Sequence, residues 1–434
     1  MNFEEFKKLQ NNPDLPLEMD QLMSILFPIC RSITGNGVRE SFNIIKQIIN
    51  LQITEIPTNT KVFDWTVPKE WNISNAYIAD LSGNKIIDFK KSNLHVVSYS
   101  IPIKKIISIE ELKTHIHTIP EKPDTVPYLT TYYNEDWGFC MSHNDFLNLK
   151  DPLYEILIDS KLENGFMTIG EYYIPGEISD EFIISCYICH PSMCNDNLSG
   201  VVLTTFLAKY LSSQKLKYSY RFLFVPETIG SISWLSLNEQ NLSKIKHGLV
   251  ATCLGDSGSS TYKRSKSGNS EIDKTVEFVL KNSSSDYNIL DFFPTGSDER
   301  QFCSPALNLH VGSLMRTPYG KFIQYHTSDD NLDFVKSEYI VDSFLKYLKT
   351  VFIIENNKKY VNMNPKCEPQ LGKRGLYRYL GGQKNKPESE LAIFWILSFS
   401  DGFNDLIDIS EKSQLSFEIV LETAKKLESY KLLK

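Results

Sequence analysis

The chain has 434 residues, with 46 Lys and Arg against 53 Asp and Glu, a net charge of −7 and a pI of about 5.7. This acidic balance argues against a general nucleic-acid binder and against a binder of anionic membranes. The first residues lack the apolar core that a signal peptide has, and no apolar stretch approaches the roughly 20 residues that span a bilayer. We therefore expect a cytoplasmic protein with no membrane partner.

Residues 1–50 are predicted to be helical, in two pieces that break at the turn Thr34-Gly35-Asn36-Gly37. The segment between the two pieces is unusually polar and contains Arg31 and Arg39. Either arginine could reach a functional site, although a plain loop that caps the second helix is the favoured interpretation.

Residues 51–175 alternate short apolar and polar runs with turns, which predicts a separate β-rich domain. Its aromatic residues would line a sugar or peptide cleft or form the core of a small β domain. These residues are Trp65, Trp71, Tyr132, Tyr133 and Trp137. No catalytic motif stands out in this part of the chain.

Residues 176–360 alternate apolar strands with helices. This alternation predicts an α/β domain with a mainly parallel central sheet and helices on both faces. The predicted strands are Phe182–Cys189, Tyr218–Val225, Gly248–Gly255 and Leu307–Leu314.

Residues 366–434 are predicted to form helix, short helix, helix, an order that is typical of a winged-helix domain. The last helix has an apolar stripe of Phe417, Val420, Leu421, Ala424 and Leu427. A small helical packing module is the alternative. DNA contact is left open by the fold, but the near balance of basic and acidic residues argues against it.

Ionisable side chains follow the predicted strands of the α/β domain. His190 ends the first strand and Asp196 lies in the next loop, Glu227 and Asp256 follow the second and third strands, and His326 precedes the final helix. The carboxyl ends of parallel strands meet at one edge of a sheet. Imidazole and carboxylate ligands suit zinc, and also manganese or cobalt. The set therefore predicts a metal site, because burying these groups without a cation would be costly.

Five motifs follow one another along the chain: His190, the Asp196-Asn197-x-Ser199-Gly200 run, Glu227, Asp256 and Tyr325-His326-Thr327. In this order they resemble the motifs of the M28-type bacterial di-zinc aminopeptidases. Nearly the whole chain is similar to bacterial aminopeptidase-like proteins with an inserted β domain and a C-terminal winged helix. The resemblance implies a zinc-exopeptidase-like fold, in which residues 1–50 and 176–360 form the peptidase domain and residues 51–175 form the insert.

The resemblance also implies roles for these residues. Asp196 would bridge two metal ions, His190 and Asp256 would complete one site, and His326 would serve the other. Glu227 would be the general base for a water that attacks an amide carbonyl. Tyr325 would contact the substrate. Arg316 would hold a substrate carboxylate or lie on the surface.

Two residues depart from the family pattern. Thr228 replaces the second of two adjacent glutamates, so Glu227 is either the base or a ligand, and the site holds one zinc ion or two. Ser192 replaces an acidic residue that orients the first histidine.

Three functions therefore stay open. The first is a metal-dependent, aminopeptidase-like hydrolase of a small peptide or another amide. The second is a degenerate peptidase fold that senses a ligand or binds DNA or a protein partner. The third is a deacylase of a sugar or a modified amino acid. The oligomeric state is not indicated by the sequence.

Overall fold

The computed structural model describes residues 3–376 and 388–434, so residues 377–387 of the predicted winged-helix domain lie outside the described residues. The helices are α1 (Phe3–Gln10), α2 (Leu15–Leu26), α3 (Asn36–Ile45), α4 (Ile109–Lys113), α5 (His143–Leu147), α6 (Ser199–Leu211), α7 (Ile229–Leu237), α8 (Glu271–Lys281), α9 (Glu299–Phe302), α10 (Ser337–Asn356), α11 (Glu388–Phe399), α12 (Leu406–Ser413) and α13 (Phe417–Ser429).

The strands are β1 (Gln52–Pro57), β2 (Lys61–Val62), β3 (Trp65–Thr66), β4 (Glu70–Ala79), β5 (Lys85–Asp88), β6 (Ile103–Ser108), β7 (Ile116–His117), β8 (Phe139–Cys140), β9 (Leu153–Glu163), β10 (Phe166–Ile174), β11 (Glu181–Tyr187), β12 (Ser219–Val225), β13 (Ile245–Ala251), β14 (Ser260–Lys263), β15 (Tyr287–Leu290), β16 (Val311–Met315), β17 (Lys359–Val361) and β18 (Asp401–Asp405). Residues Asn12–Lys346 form one compact unit, and Met1–Asn11 with Tyr347–Lys434 form a second.

An eight-stranded sheet dominates the larger unit, in the order β1-β10-β12-β11-β13-β16-β14-β15. Its central strands β12, β11, β13 and β16 are parallel to one another, whereas β1, β10 and β14 join through antiparallel pairs. Every residue of β11 is buried, as expected for a strand covered on both faces. The predicted α/β fold is confirmed, with a large central sheet, further small sheets and a C-terminal winged-helix domain.

The parallel strands bring their carboxyl ends to one edge of this sheet. Strand β11 ends three residues before His190, and β12 ends two residues before Glu227. Strand β13 ends at Ala251, earlier than the sequence pattern indicated, so a longer loop separates it from Asp256.

A second, four-stranded antiparallel sheet has the order β5-β4-β9-β6 and its own apolar core. Trp71 belongs to the interior, since it is 3% exposed and its indole N–H donates to the carbonyl of Ser100. Strands β1 and β10 belong to the central sheet, so the predicted 51–175 domain includes two of that sheet's strands.

Arg39 ties α3 to strand β4. Its guanidinium donates to both carboxylate oxygens of Glu70, at 2.6 and 2.8 Å, and also pairs with Glu55. The hydrogen bonds from Arg39 lower the pKa of Glu70 to about 2, and the N–H of Phe166 also donates to this carboxylate at 2.8 Å. Arg39 therefore has a structural role in this network.

The winged-helix domain has the predicted helices and a two-stranded sheet of β17 and β18. Helix α12 begins with a capping box between Asp405 and Asp408. The predicted apolar stripe of α13 is confirmed, because all five of its residues are buried.

The polar side of α13 contacts the second half of α10. Glu418 forms a salt bridge with Lys349, and the ammonium of Lys425 donates to the Asn356 side chain at 3.1 Å. The rings of Phe417 and Phe352 lie 6.1 Å apart. In helix-turn-helix proteins the corresponding helix enters the major groove of DNA. Here Glu418 and Lys425 have partners within the same unit, whereas Glu422 and Lys426 are exposed.

No helix among the described residues is long and apolar enough to cross a membrane. All eight cysteines are free thiols.

We predict that Glu70→Gln lowers the free energy of unfolding by about 2 kcal/mol near neutral pH, because a charge-assisted bidentate pair is lost. A carboxylate whose pKa falls from 4.5 to about 2 stabilises the fold above pH 4.5 and loses that contribution as the pH falls towards 2. Urea unfolding at several pH values should therefore show the two proteins converging in acid. Glu135→Gln, in the exposed pair with Lys69, is the control and should change little. A constant difference at all pH values would contradict the prediction.

We also predict that the full chain does not bind duplex DNA. Fluorescence anisotropy with a random-sequence duplex at about 50 mM salt should show no saturable binding at micromolar protein, because the chain carries a net charge of −7 and duplex binding depends on basic side chains that pair with phosphates. Binding that weakens steeply with added salt would contradict this prediction.

Candidate metal centre

His190, Asp196 and His326 meet at the carboxyl edge of the central sheet, and one possible ligand atom from each lies within 4.8 Å of the others. The His326 Nε2 atom lies 2.9 Å from Asp196 Oδ2, yet both atoms are buried without a hydrogen-bond partner. Burial lowers the pKa of His190 to about 4, which favours the neutral imidazole that binds metals. Burial raises the pKa of Asp196, but the interactions with His190 and His326 and the hydrogen bond from Tyr187 outweigh burial and lower the pKa to about 2.

The backbone around His190 is held by a buried arginine. Arg31 is 1% exposed, and its Nε–H donates to the carbonyl of His190 at 3.1 Å while a terminal N–H donates to the carbonyl of Leu26 at 2.6 Å. Arg31 thus holds the backbone of the candidate ligand His190 in place. Ser192 donates to the carbonyl of Phe27 instead of contacting the imidazole, so it does not replace the family's orienting acid.

Asp196 is fixed by hydrogen bonds to its side chain and to its backbone. The Tyr187 hydroxyl donates to Oδ1 of Asp196. Asp330 accepts the backbone N–H groups of Asn195 at 2.6 Å and Asp196 at 2.9 Å, which anchors the turn Cys194–Leu198. Burial raises the pKa of Asp330 to about 8.

Two tyrosines orient the imidazoles. The ring of Tyr325 stacks on His326 with centroids 4.0 Å apart and an interplanar angle of 11°. The ring of Tyr128 lies 5.2 Å from both His190 and His326 in edge-on contacts, and its backbone N–H donates to the carbonyl of His326 at 2.8 Å. Tyr128 comes from the predicted β-rich domain, where no sequence motif pointed to it.

The structure does not bring Asp256 into this cluster. Its carboxylate accepts hydrogen bonds from the Asn195 side chain at 2.9 Å, from the Gly258 N–H at 2.7 Å and from the Thr317 hydroxyl at 2.5 Å. Through its contact with Asn195, Asp256 helps to stabilise the turn that contains Asn195.

Arg316 also lies outside the cluster. It is 7% exposed, pairs with Asp342 at 2.5 Å and places its guanidinium over the ring of Tyr339. It is therefore buried and paired within the fold. Tyr325 reaches the site through its contact with His326.

A cavity of about 240 Å³ opens onto the cluster. Glu227 lies in its wall, with Oε2 3.9 Å from His190 Nε2. Burial, together with the charges of Asp298 and Asp196, raises the pKa of Glu227 well above its usual range, which suits a group that accepts and returns a proton. The cavity is lined by Ser32, Ile33, Tyr128, Leu129, Thr130, Tyr132, Cys189, His190, Glu227 and His326.

Thr228 occupies the place of the family's second glutamate. Its N–H donates to Asp298 Oδ1 at 2.7 Å, and its hydroxyl accepts a hydrogen bond from Arg300 at 3.2 Å. A hydroxyl paired with a guanidinium does not supply the anionic ligand that a second metal ion would need. The donor set present, two imidazoles and one carboxylate, fits a single zinc ion with an open coordination position.

A family model described as a domain of unknown function, DUF4910, matches residues 20–357. The chain belongs to this family. A second model, described as a winged helix-turn-helix, matches residues 358–434. A candidate polysaccharide biosynthesis protein with an aminopeptidase-like domain, from Clostridium acetobutylicum, is 56% identical over 428 residues, which cover 99% of this chain and 98% of that protein.

Among solved structures, a candidate peptidase from C. acetobutylicum matches with a TM-score of 0.94 at 55% identity, covering 99% of both chains. The zinc aminopeptidase BSAP from Bacillus subtilis matches with a TM-score of 0.56 at 12% identity, covering 78% of this chain and 94% of that chain. A peptidase M28 precursor from Shewanella amazonensis matches with a TM-score of 0.55 at 12% identity, covering 81% of this chain and 95% of that chain. The resemblance to the M28 fold and to a C-terminal winged helix is confirmed.

We predict that the protein binds one zinc ion per chain and that Asp196→Asn and His326→Ala each weaken binding at least about 100-fold, since even loss of a second-shell partner costs 10- to 100-fold. Metal content after dialysis and competition with a chromophoric chelator would measure this. Asp256→Asn is the matched control and should keep its zinc. If the wild-type chain bound two ions, or if Asp256→Asn lost its zinc, the prediction would be wrong and Asp256 would have to be counted as a metal ligand.

Proposed function

We propose that the protein is a metal-dependent hydrolase of amide bonds. The observation that supports this most strongly is the position of Glu227, a carboxyl with a raised pKa in the same cavity wall as His190 and His326. A proton-transfer group beside an open metal position is the arrangement that metal-assisted hydrolysis requires.

His190, Asp196 and His326 would hold the ion. When bound, zinc would act as a Lewis acid towards the carbonyl and make a water more acidic. Glu227 takes a proton from the water that attacks the carbonyl carbon. The C–N bond then breaks, and Glu227 returns the proton to the leaving nitrogen, so that a carboxylic acid and an amine are the products.

Other residues of the chain hold this arrangement in place. Tyr128 and Tyr325 fix the imidazole planes, and Arg31 holds the backbone of His190. Ser32, Thr130 and Tyr132 also line the cavity and would supply polar contacts to a substrate.

Two substrate classes are compatible with this chemistry. The fold neighbours include zinc aminopeptidases, which favours small peptides. The C. acetobutylicum relative is described as a polysaccharide biosynthesis protein, which favours an amide carried on a sugar. A ligand-sensing protein without catalysis is the alternative that Thr228 supports, because the pairing of Thr228 with Arg300 departs from the two-metal pattern.

We expect Glu227→Gln to lower kcat about 10²- to 10⁴-fold while zinc content stays unchanged, since a positioned general base contributes on this scale. Hydrolysis of amino-acid and N-acyl anilides with zinc, manganese or cobalt would measure the effect. Full activity in the variant would remove Glu227 from the mechanism. If the metal-loaded wild type hydrolysed none of these amides, the result would favour the alternative of a ligand-sensing protein without catalysis.

A further inference from the structure

The chain reverses sharply between strand β12 and helix α7. Strand β12 ends at Val225 and α7 begins at Ile229, so only Pro226, Glu227 and Thr228 make the connection. The Ile229 N–H donates to the carbonyl of Glu227 at 2.8 Å, and Thr228 between them has a φ of 65° and a ψ of −75°. These angles and this hydrogen bond define a γ-turn with a positive φ at its centre, a conformation that is rare and strained.

The residue type at the centre of this γ-turn makes the strain larger. A positive φ is unfavourable for a β-branched residue, because its Cβ atom then lies close to a neighbouring carbonyl oxygen. Among residues 3–376 and 388–434, Thr228 is the one β-branched residue with a positive φ. Backbone strain of this kind persists only where surrounding contacts hold it, and it is concentrated at functional sites.

Asp298 supplies such contacts to the γ-turn. It is 1% exposed, and its Oδ1 atom accepts hydrogen bonds from the Thr228 N–H at 2.7 Å and from the Ser231 hydroxyl at 2.9 Å. The carboxylate therefore joins the central residue of the γ-turn to the first turn of α7. Arg300 adds a hydrogen bond to the Thr228 hydroxyl at 3.2 Å.

The γ-turn also fixes the backbone of Glu227, which lies in the cavity wall. The Glu227 N–H donates to Cys189 Sγ at 3.2 Å, and the Glu227 carbonyl accepts the hydrogen bond that closes the γ-turn. Asp298 is not one of the described residues that line this cavity. It therefore acts on Glu227 through the backbone of Thr228.

We propose that Asp298 is a positioning residue, which keeps the strained γ-turn at Thr228 closed and thereby determines where the Glu227 carboxyl lies relative to His190 and His326. This proposal rests on the proposed function, in which Glu227 takes and returns the proton. The contact with the Thr228 N–H needs an oxygen acceptor at the position of Oδ1, and it does not need a charge.

Two substitutions of Asp298 separate the acceptor from the charge. Asp298→Ala removes both, whereas Asp298→Asn keeps a carbonyl oxygen of the same shape. In Asp298→Ala we expect kcat for amino-acid and N-acyl anilides to fall about 10- to 100-fold at unchanged KM and zinc content, because a misplacement of about 1 Å costs on this scale. Asp298→Asn should keep kcat within about threefold of the wild type, since the neutral acceptor is weaker but stays in place.

Hydrogen exchange measured by mass spectrometry gives a readout that does not depend on turnover. In the full chain, with and without zinc, peptides that span residues 227–232 should exchange at least about tenfold faster in Asp298→Ala, because the γ-turn opens when its acceptor is lost. The same peptides of Asp298→Asn should exchange at nearly the wild-type rate.

Asp273→Ala is the matched control. Asp273 is fully buried and accepts the Ser265 N–H at 2.7 Å, as Asp298 accepts that of Thr228, but it is not one of the described residues that line the cavity. This variant should leave kcat, and the exchange of residues 227–232, unchanged. If Asp298→Ala does not fold, Asp298→Glu replaces it: the charge stays but the acceptor moves by one methylene, so kcat should fall below that of Asp298→Asn.

Equal losses of kcat in Asp298→Asn and Asp298→Ala would overturn the proposal, because the charge and not the position of the acceptor would then matter. Unchanged exchange of residues 227–232 in Asp298→Ala would overturn it as well. If the metal-loaded wild type hydrolysed no anilide, the proposed function would fail, whereas the exchange rates would still show whether Asp298 holds the γ-turn.

Discussion

The contact between Asp196 and His326 is the constraint on which the rest of the site depends. His326 Nε2 and Asp196 Oδ2 are buried 2.9 Å apart, and with His190 they form a group whose ligand atoms one cation could contact together. The surrounding structure holds both side chains in place: Asp330 and Tyr187 fix the aspartate, and Tyr128 and Tyr325 fix the imidazole. A centre that is held in this way before any ligand arrives is preorganised for a cation.

The sequence predicted the parts of this site that follow from strand order. The apolar runs before His190 and Glu227 identified two buried parallel strands, and parallel strands share an edge, so these side chains were expected together. Asp256 could not be placed in the same way, because the pattern did not show that β13 ends at Ala251. The longer loop carries the Asp256 carboxylate to the Asn195 side chain instead.

The sequence pattern could not predict contacts between segments that lie far apart in the chain. Tyr128 lies about 60 residues before His190 in a domain without a motif, and its role follows only from the packing of that segment against the His326 loop. The replacement of a glutamate by Thr228 was visible in the sequence, but its pairing with Arg300 was not. The bounds predicted for the domains stay predictions. The two matching family models meet between residues 357 and 358, close to residue 366, where the winged helix is predicted to start.

The antiparallel pairing of β1 with β10 has a consequence for what residues 58–165 do. Pro57 and Phe166 are partners at the end of that ladder, so their Cα atoms lie only about 5 Å apart. A short hairpin between these two residues would therefore keep β1 and β10 paired without residues 58–165. The same deletion would remove Tyr128, whose ring contacts both His190 and His326. The segment is thus dispensable for this strand pairing but not for the packing of the two imidazoles.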